Sequence, residues 1–480
     1  MNNRSLFYIV FSAALLGGCS VGPAYERPAA ELPDTWRAAP AQGQPMASRQ
    51  WWTIYGDATL DRLITEALAS NQDLALATAR LDEARALALI ADTQRSPAID
   101  GAFQRDRTRR SDSTATRFPG SLENNNYRGQ LNISYELDLW GRLRNSAKAA
   151  QADLLATTAA RETVRIALTA EVTQSYYSLV ALDAQIAATR KTLDLRADNL
   201  RLQKIRADAG LINEFALRQL EAEIAAAQAQ LPALERRRTG EELALGVLLG
   251  RSPRALINES VTRTAESGQP VTPVIPADLP SALLLRRPDV VAAEQRLIAA
   301  NARIGAARAA LFPRIGLSGY LGSESSALSN LFSGPARIWQ LGFALTQPIF
   351  QGGRLLGEVD AVEARERQAL AQYQKTLQTA FRETHDALVA QAKAREVFDA
   401  ENTRATALGE SLRLARIRYD NGLTSQLEVL DAERNLLSAE LNRVDALRAQ
   451  RAAIADVVRA LGGGWEGLTE TPPAVAQTRQ

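Results

Sequence analysis

The chain has 480 residues, one Cys and one His, and neither has the company that chemistry needs. Cys19 closes an apolar run near the N-terminus. His385 lies in a long helical stretch, with no nucleophile or second base at a spacing that catalysis could use, and reads as a helix-packing or lumen residue. One Cys and one His exclude a Cys/His metal cluster and an intrachain disulfide framework. Carboxylates are plentiful, but none follow EF-hand spacing. Neither a G-x-S-x-G nucleophile elbow nor a G-x-x-x-x-G-K-[ST] phosphate loop occurs, so no enzyme and no cofactor are expected. What remains are charged residues at helical spacing. Asp431 and Arg434 are three apart and can pair, for roughly 0.2–0.5 kcal/mol on a solvated face. Leu427 and Asp431, four apart, share a face.

Lys and Arg total 56 against 54 Asp and Glu, a formal charge of +2. No basic surplus points to nucleic acid, and no acidic surplus to a disordered tail. After Asn2, Asn3 and Arg4, Leu6 to Leu16 form an apolar run of eleven residues. That is signal-peptide length, too short to cross a bilayer as a helix. The run ends in Leu16-Gly17-Gly18-Cys19, which resembles the lipobox of bacterial lipoproteins. The resemblance implies a signal peptide over 1–18 and a mature chain starting at Cys19, acylated with diacylglycerol and N-palmitate. Several chains make a durable anchor where one is marginal. Ser20 beside it implies sorting to the outer membrane. Residues 19–50, with Pro23, Pro28, Pro33, Pro40 and Pro45, read as an extended tether.

The elements that could position these residues come next. Trp51-Trp52-Thr53-Ile54-Tyr55 leads into Leu60, Leu63, Ile64, Ala67 and Leu68 at helical spacing. A second amphipathic helix runs from Asn71 to about Gln94 and is stopped by Pro97. The period then changes. From Gly129 to Leu139, Leu131, Ile133, Tyr135, Leu137 and Leu139 alternate with polar residues, the signature of a strand with one apolar and one polar face. Ile99 to Arg107 is its expected partner, with Arg109 to Asn126 as the loop between. From Arg142 to Ala209 there are sixty-eight residues without Gly or Pro, a helix of roughly 100 Å at about 1.5 Å per residue. One apolar seam runs through Leu168, Val172, Ser175, Leu179, Leu182, Ile186, Thr189 and Leu193. A second runs beside it through Ile166, Ala170, Thr173, Tyr177, Val180 and Ala184. A single seam serves a two-stranded coiled coil; two adjacent seams require neighbours on both sides. After Gly210-Leu211 a returning helix is expected to kink or break at Pro232.

The pattern then recurs. Gly353-Arg354, Gly422-Leu423 and Leu461-Gly462 follow Gly141-Arg142, Gly210-Leu211 and Leu249-Gly250 by 212 residues each (353−141, 422−210, 461−249). Repeat 1 therefore spans 51–250, with a strand pair at about 99–139, a long helix at 142–209 and a return helix at 211–249. Residues 251–280 form a Pro-rich linker. Repeat 2 spans 281–464, with strands at about 314–349, a long helix at 354–421 and a return helix at 423–461, and 465–480 is a tail. Tandem repetition fixes the class as mainly α with a β component. Four strands with one apolar face are too few for a membrane barrel of at least about eight, so either they form a small buried sheet or several chains pool them.

The residues that carry a family resemblance are Glu136-Leu137-Asp138-Leu139-Trp140-Gly141-Arg142-Leu143, Leu284-Leu285-Arg286-Arg287-Pro288-Asp289-Val290, Ala310-Leu311-Phe312-Pro313-Arg314-Ile315, and Arg418-Tyr419-Asp420-Asn421-Gly422-Leu423 with Leu430-Asp431-Ala432-Glu433-Arg434. Over essentially its whole length the chain resembles the TolC-type outer-membrane factors, in the lipoprotein branch that serves RND-type tripartite efflux pumps. The resemblance implies a homotrimer with a twelve-stranded β-barrel in outer-membrane lipid and a periplasmic α-barrel. Its partners would be a periplasmic adaptor and an inner-membrane RND-type pump. It further implies a passive exit duct for drugs or other small solutes, closed at the periplasmic tip until the pump docks. The gate would fall on Leu427, Glu428, Asp431, Arg434 and Tyr419, and the adaptor-contacting tips on Gly210, Leu211, Gly422 and Leu423. Thr424 departs from relatives that place an Arg there. Two other readings fit parts of the pattern: a periplasmic adaptor lipoprotein, and the outer-membrane component of a type I protein secretion system. An adaptor would carry one helical hairpin between lipoyl-like and barrel domains, not two hairpins each preceded by strands.

Overall fold

The computed structural model describes residues 21–29, 49–111, 113, 121–210, 213–263, 281–465 and 467–468. The signal peptide over 1–18, Cys19, most of the tether, Leu211, linker residues 264–280 and nearly all of the tail lie outside them. The described residues fall into two units. One draws on Met1–Ala29, Arg80–Thr158 and Ala292–Gln374, the other on Ala30–Ala79, Ala159–Val291 and Lys375–Gln480. Among the described residues no helix is long and apolar enough to cross a membrane.

Among the described residues, eight α-helices and four strands make two matched halves. In the first half α1 is Ala58–Ser70, α2 Gln72–Thr93, β1 Ala98–Arg109, β2 Glu123–Leu137, α3 Arg142–Asp208 and α4 Glu214–Leu248. A short helix α5, Pro253–Asn258, follows. The second half has α6 Pro288–Ala309, β3 Arg314–Ser325, β4 Arg337–Thr346, α7 Arg354–Asp420 and α8 Gln426–Ala460. The long helices α3 and α7 both have 67 residues, and the return helices α4 and α8 both have 35. Elements after the strands repeat at 212 residues (354−142, 426−214), whereas α2/α6 and β1/β3 repeat at 216 (288−72, 314−98). The four-residue difference lies between the first strand residue and the start of the long helix in each half (142−98 = 44 against 354−314 = 40), where loops absorb length changes without disturbing either helix.

In the first unit the strands pair antiparallel in the order β1-β2-β3-β4. The two halves meet at β2 and β3, where Leu131 faces Leu321 and Ile133 faces Gly319. The registers collect Ile99, Gly101 and Phe103, then Gly129 to Leu137 at every second residue, Ile315, Leu317 and Leu321, and Trp339, Leu341, Phe343 and Leu345 on one face. Most of these apolar side chains are exposed, Trp339 by 75% and Leu341 by 79%, with Tyr135, Leu137, Ile315 and Leu317 half-buried, and the other face is mainly polar or small. The strands reach further than alternation indicates. Glu123 to Arg128, Thr108 and Arg109 pair as strand, because the ladder continues through polar residues once register is set. At its other end β2 stops at Leu137, so Leu139 is not part of the strand. There the Asp138 carboxylate accepts hydrogen bonds from the backbone amides of Leu143, at 3.1 Å, and Arg144, at 2.8 Å. It thereby satisfies free donors at the start of α3. Arg142 donates twice to Glu136, at 2.9 and 2.7 Å, and Trp140 stacks on Phe312 with centroids 4.9 Å apart. The Glu136-to-Arg142 motif is thus a strand-to-helix joint.

The segment 21–29 docks in the same unit. Arg27 forms a bidentate pair with Glu294 at 2.6 and 2.5 Å, and the Tyr25 hydroxyl donates to the same carboxylate at 3.2 Å. Glu294 is buried. Burial, with the negative charge of Glu294, pushes the Tyr25 phenol well above its ordinary range. Gly22 runs so close to α6 that a Cβ there would sit 2.7 Å from Gly305 Cα.

The second unit has an aromatic core. Trp51, Trp52 and Tyr55 pack with Leu60, Ile64, Tyr176, Tyr177, Leu245, Ile454 and Val457. The Trp51 indole donates to Thr169 at 3.2 Å, and Tyr176 donates to Asp57 at 2.6 Å. Asp57 also caps α1 through the amides of Thr59 and Leu60, so one carboxylate ties helix start to long helix. Contrary to expectation, Pro232 does not interrupt α4. Pro232 and Gln228, whose carbonyl loses its partner, are both exposed, so water can take the lost bond and neighbouring turns hold the helix.

Replacing Arg27 with Ala should cost about 2 kcal/mol or more, because it strands a buried carboxylate. Thermal unfolding should show the loss, and adding Glu294→Gln should recover most of it. Equal stability of Arg27→Ala and the wild type would show that Glu294 does not need the tether.

Candidate functional site

The residues singled out for function gather where the hairpins α3–α4 and α7–α8 turn, all within the second unit. Gly210 and Gly422 stand at φ +73° and +71°, the left-handed region that costs other residues about 1–2 kcal/mol. After α7 the Gly422 amide donates to the Tyr419 carbonyl at 2.9 Å, and the Leu423 amide to the Arg418 carbonyl at 2.8 Å, closing the helix end. Gly210 makes the first of these contacts, to the Ala207 carbonyl at 2.9 Å. Cys19 and Leu211 are outside the described residues.

Beyond the turn, Leu423 and Leu427 are exposed by 70% and 50%. Glu428 is held locally, by Arg418 at 3.4 Å and by the Thr424 hydroxyl. Asp431 pairs with Arg434 at 2.5 Å and accepts from the Asn435 side chain at 3.0 Å. Arg434 also reaches Glu223 on α4 at 3.8 Å. The Tyr419 hydroxyl accepts from Gln203 and from Arg206 of α3, each at 3.1 Å. Within the second hairpin Leu412, Ala415, Val429 and Ala432 pack together beside Tyr419. Leu430 packs against Leu220 and Ile224 of the first hairpin. His385 lies half-buried in α7, away from this cluster in sequence.

Between the hairpins runs a polar seam. Gln174 donates to Asp456 at 2.9 Å and Gln185 to the Leu441 carbonyl at 3.4 Å. Arg196, with 2% of its side chain exposed, donates to the Glu223 carbonyl at 2.8 Å. Its guanidinium is 3.6 Å from the Glu223 carboxylate and 3.9 Å from that of Glu433. Glu433 is paired in turn with Arg416 at 2.8 Å. Arg196 Nε and Nη2 and Glu433 Oε2 make no hydrogen bond among the described residues. At 3.9 Å the charges attract but lie beyond bonding distance. A buried ion pair in such a loose geometry recovers little of its desolvation cost, and its unpaired buried groups are costly.

These inter-hairpin residues are missing from the expected site, although the sequence carries a signal for them. The first apolar seam of α3, which reaches Ile186, Thr189 and Leu193, continues by steps of three and four to Arg196, Leu200 and Gln203. Arg196 and Gln203 are both buried, large polar side chains in a mainly apolar stripe, a device that can fix the register of packed helices.

Among the described residues no group of His, Cys, Asp and Glu could hold a metal ion. The sequence model of the outer membrane efflux protein family matches residues 63–251 and 279–463. The chain belongs to that family. It is an outer-membrane efflux channel protein, built mainly of helices with a β-barrel portion. It is 37% identical over 456 residues to the outer membrane protein OprJ of Pseudomonas aeruginosa, covering 95% of each chain. Its fold matches the CmeC outer membrane channel of Campylobacter jejuni with a TM-score of 0.87 at 26% identity, over 93% of this chain and 95% of that one. It also matches the open state of the MtrE outer membrane channel of Neisseria gonorrhoeae, with a TM-score of 0.83 at 30% identity, over 93% and 98%.

If the Tyr419 hydroxyl joins the hairpins, Tyr419→Phe and Gln203→Ala should be coupled. A double-mutant cycle in thermal unfolding should give about 1 kcal/mol. Additive effects of the two substitutions would rule the link out.

Proposed function

We propose that this efflux channel protein is the gated exit duct of a tripartite pump, acting as a homotrimer with a periplasmic adaptor and an inner-membrane RND-type pump. The observation that carries the reading is the open four-stranded sheet, apolar on one face and polar on the other, with β1 and β4 as free edges. Three copies give twelve strands, enough to close a barrel whose apolar face meets lipid and whose polar face lines water. Drugs or other small solutes then pass down their gradient through the shared lumen.

The hairpin turns around Gly210, Leu211, Gly422 and Leu423 are the surfaces an adaptor meets. Leu427, Glu428 and Asp431 form the constriction, with Arg434 and Tyr419 holding it. Threefold symmetry turns Asp431 into a ring of three carboxylates, which favours cations and resists anions. The loose contacts of Arg196 support a seam that separates without large cost when a partner docks, and the open state recorded for MtrE is what such separation would produce. Cys19 carries the lipid that tethers each protomer.

In planar bilayers Asp431→Ala should raise single-channel conductance several-fold and lower the preference for cations over anions. Unchanged conductance and selectivity would remove Asp431 from the gate. Metabolic palmitate labelling should disappear in Cys19→Ser; persistent labelling would place the acyl chain elsewhere.

A further inference from the structure

The outward, apolar face of the sheet changes character toward the loop ends of the strands. In the rows beyond Phe103 and Gly129 the same face carries Arg105, Arg107 and Arg109 on β1, and Arg337 follows Trp339 toward the loop on β4. Contacts fix the side on which two of them lie. The Arg105 guanidinium stands 5.5 Å over the Tyr127 ring, and Arg107 pairs across the strands with Glu123 at 2.7 Å. Glu123 is the only carboxylate facing these four Arg among the described residues of that face. The opposite face, in the same rows, carries one Arg against two carboxylates. There Arg128 stacks on Tyr320 at 4.7 Å and lies 4.0 Å from Glu324, with Asp106 on the adjoining strand. Charges that served only to keep strand ends in water would be mixed on both faces. The asymmetry in sign points to a negatively charged neighbour on the outside.

Position identifies the neighbour. From Leu137 to Gly129 the apolar face of β2 covers eight residue steps, about 26 Å along the strand and about 20 Å of depth at a tilt of about 40°, so the rows beyond reach the top of a lipid-facing band about 25 Å tall. The Arg rows therefore sit at headgroup depth, in the leaflet next to the loops. All four lie on the edge strands β1 and β4. In the trimeric barrel, on which this step rests, β4 of one protomer meets β1 of the next, and each seam gathers four guanidiniums. Arg337 and Arg109 have no side-chain partner among the described residues, and a guanidinium fork suits phosphate oxygens.

We propose that this arginine girdle binds the phosphate-bearing headgroups of lipids in the outer leaflet, fastening the protomer seams to the membrane surface. The full-length protein in detergent is titrated with fluorescent bis-phosphorylated lipid A and with its phosphate-free counterpart, each sample being checked for the trimer on a non-denaturing gel. The combined variant Arg105→Gln, Arg109→Gln, Arg337→Gln should bind the phosphorylated lipid about a hundredfold more weakly than wild type. The corresponding Lys variant should stay within severalfold of wild type. Arg314→Gln, the loss of one charge from the opposite face, should change nothing. The phosphate-free lipid should bind wild type no better than it binds the Gln variant. Equal affinity of trimeric wild type and trimeric Gln variant overturns the lipid site and leaves the trimer standing, as does equal binding of the two lipids. A monomeric wild type overturns the shared seam, and this inference with it.

Discussion

Backbone amides and carbonyls in hydrocarbon have no water to bond with, and an unpaired one costs several kcal/mol. The sheet of this protein makes that constraint acute. Its outward face is apolar and exposed, so it belongs in lipid, yet β1 and β4 each present a row of unpaired groups. One chain cannot satisfy both conditions. The long helix α3 makes no such demand along its two apolar seams, since from Ile166 to Ile186 their residues are buried or half-buried within the single chain. Sharing a closed barrel answers the demand of the sheet, and the matched halves of the chain make the answer nearly regular. The equal helix lengths, 67 with 67 and 35 with 35, follow from it: staves of one barrel must end level.

Permanent closure would make a useless duct, and the contacts between hairpins are of the kind that can be undone. Within a hairpin, side chains such as Leu412, Val429 and Ala432 exclude water. Between hairpins, Leu430 packs against Leu220 and Ile224, and beside them Arg196, Glu433, Gln203 and Tyr419 meet through polar groups, several of them incompletely bonded. An apolar interface would lose area-proportional stability on opening. A polar seam exchanges its bonds for water at a net cost near 1 kcal/mol each. In the proposed gating the polar part of the seam would exchange its bonds for water, and the apolar contact of Leu430 with Leu220 and Ile224 would carry the larger cost of parting.

Much of this was legible in the sequence because periodicity reports burial. The long Gly- and Pro-free stretches mark α3 and α7, and strict alternation marks the middle of β2. Legibility failed where a polar residue sits in a structured position. Asn124 to Asn126 look like loop but pair as strand, since a ladder needs backbone groups and tolerates any side chain that faces water. Arg109, the last of the Arg row on β1, was hidden by the same effect. Pro232 looked like a helix stop, but its exposed position lets water replace the missing bond. Arg196 and Gln203 continue the core seam as surely as Leu200 does, and only their polarity concealed them. The gate residues came from family resemblance, because Asp431 and Arg434 alone are indistinguishable from an ordinary solvated pair.

The claim that one chain is a third of a barrel is tested most directly by the native mass spectrum of the membrane-extracted protein. The account requires a single dominant species at three times the mature chain mass, still intact at collision energies that strip the detergent. A dominant monomer or dimer at working concentrations would leave the edges of β1 and β4 unpaired and would contradict it.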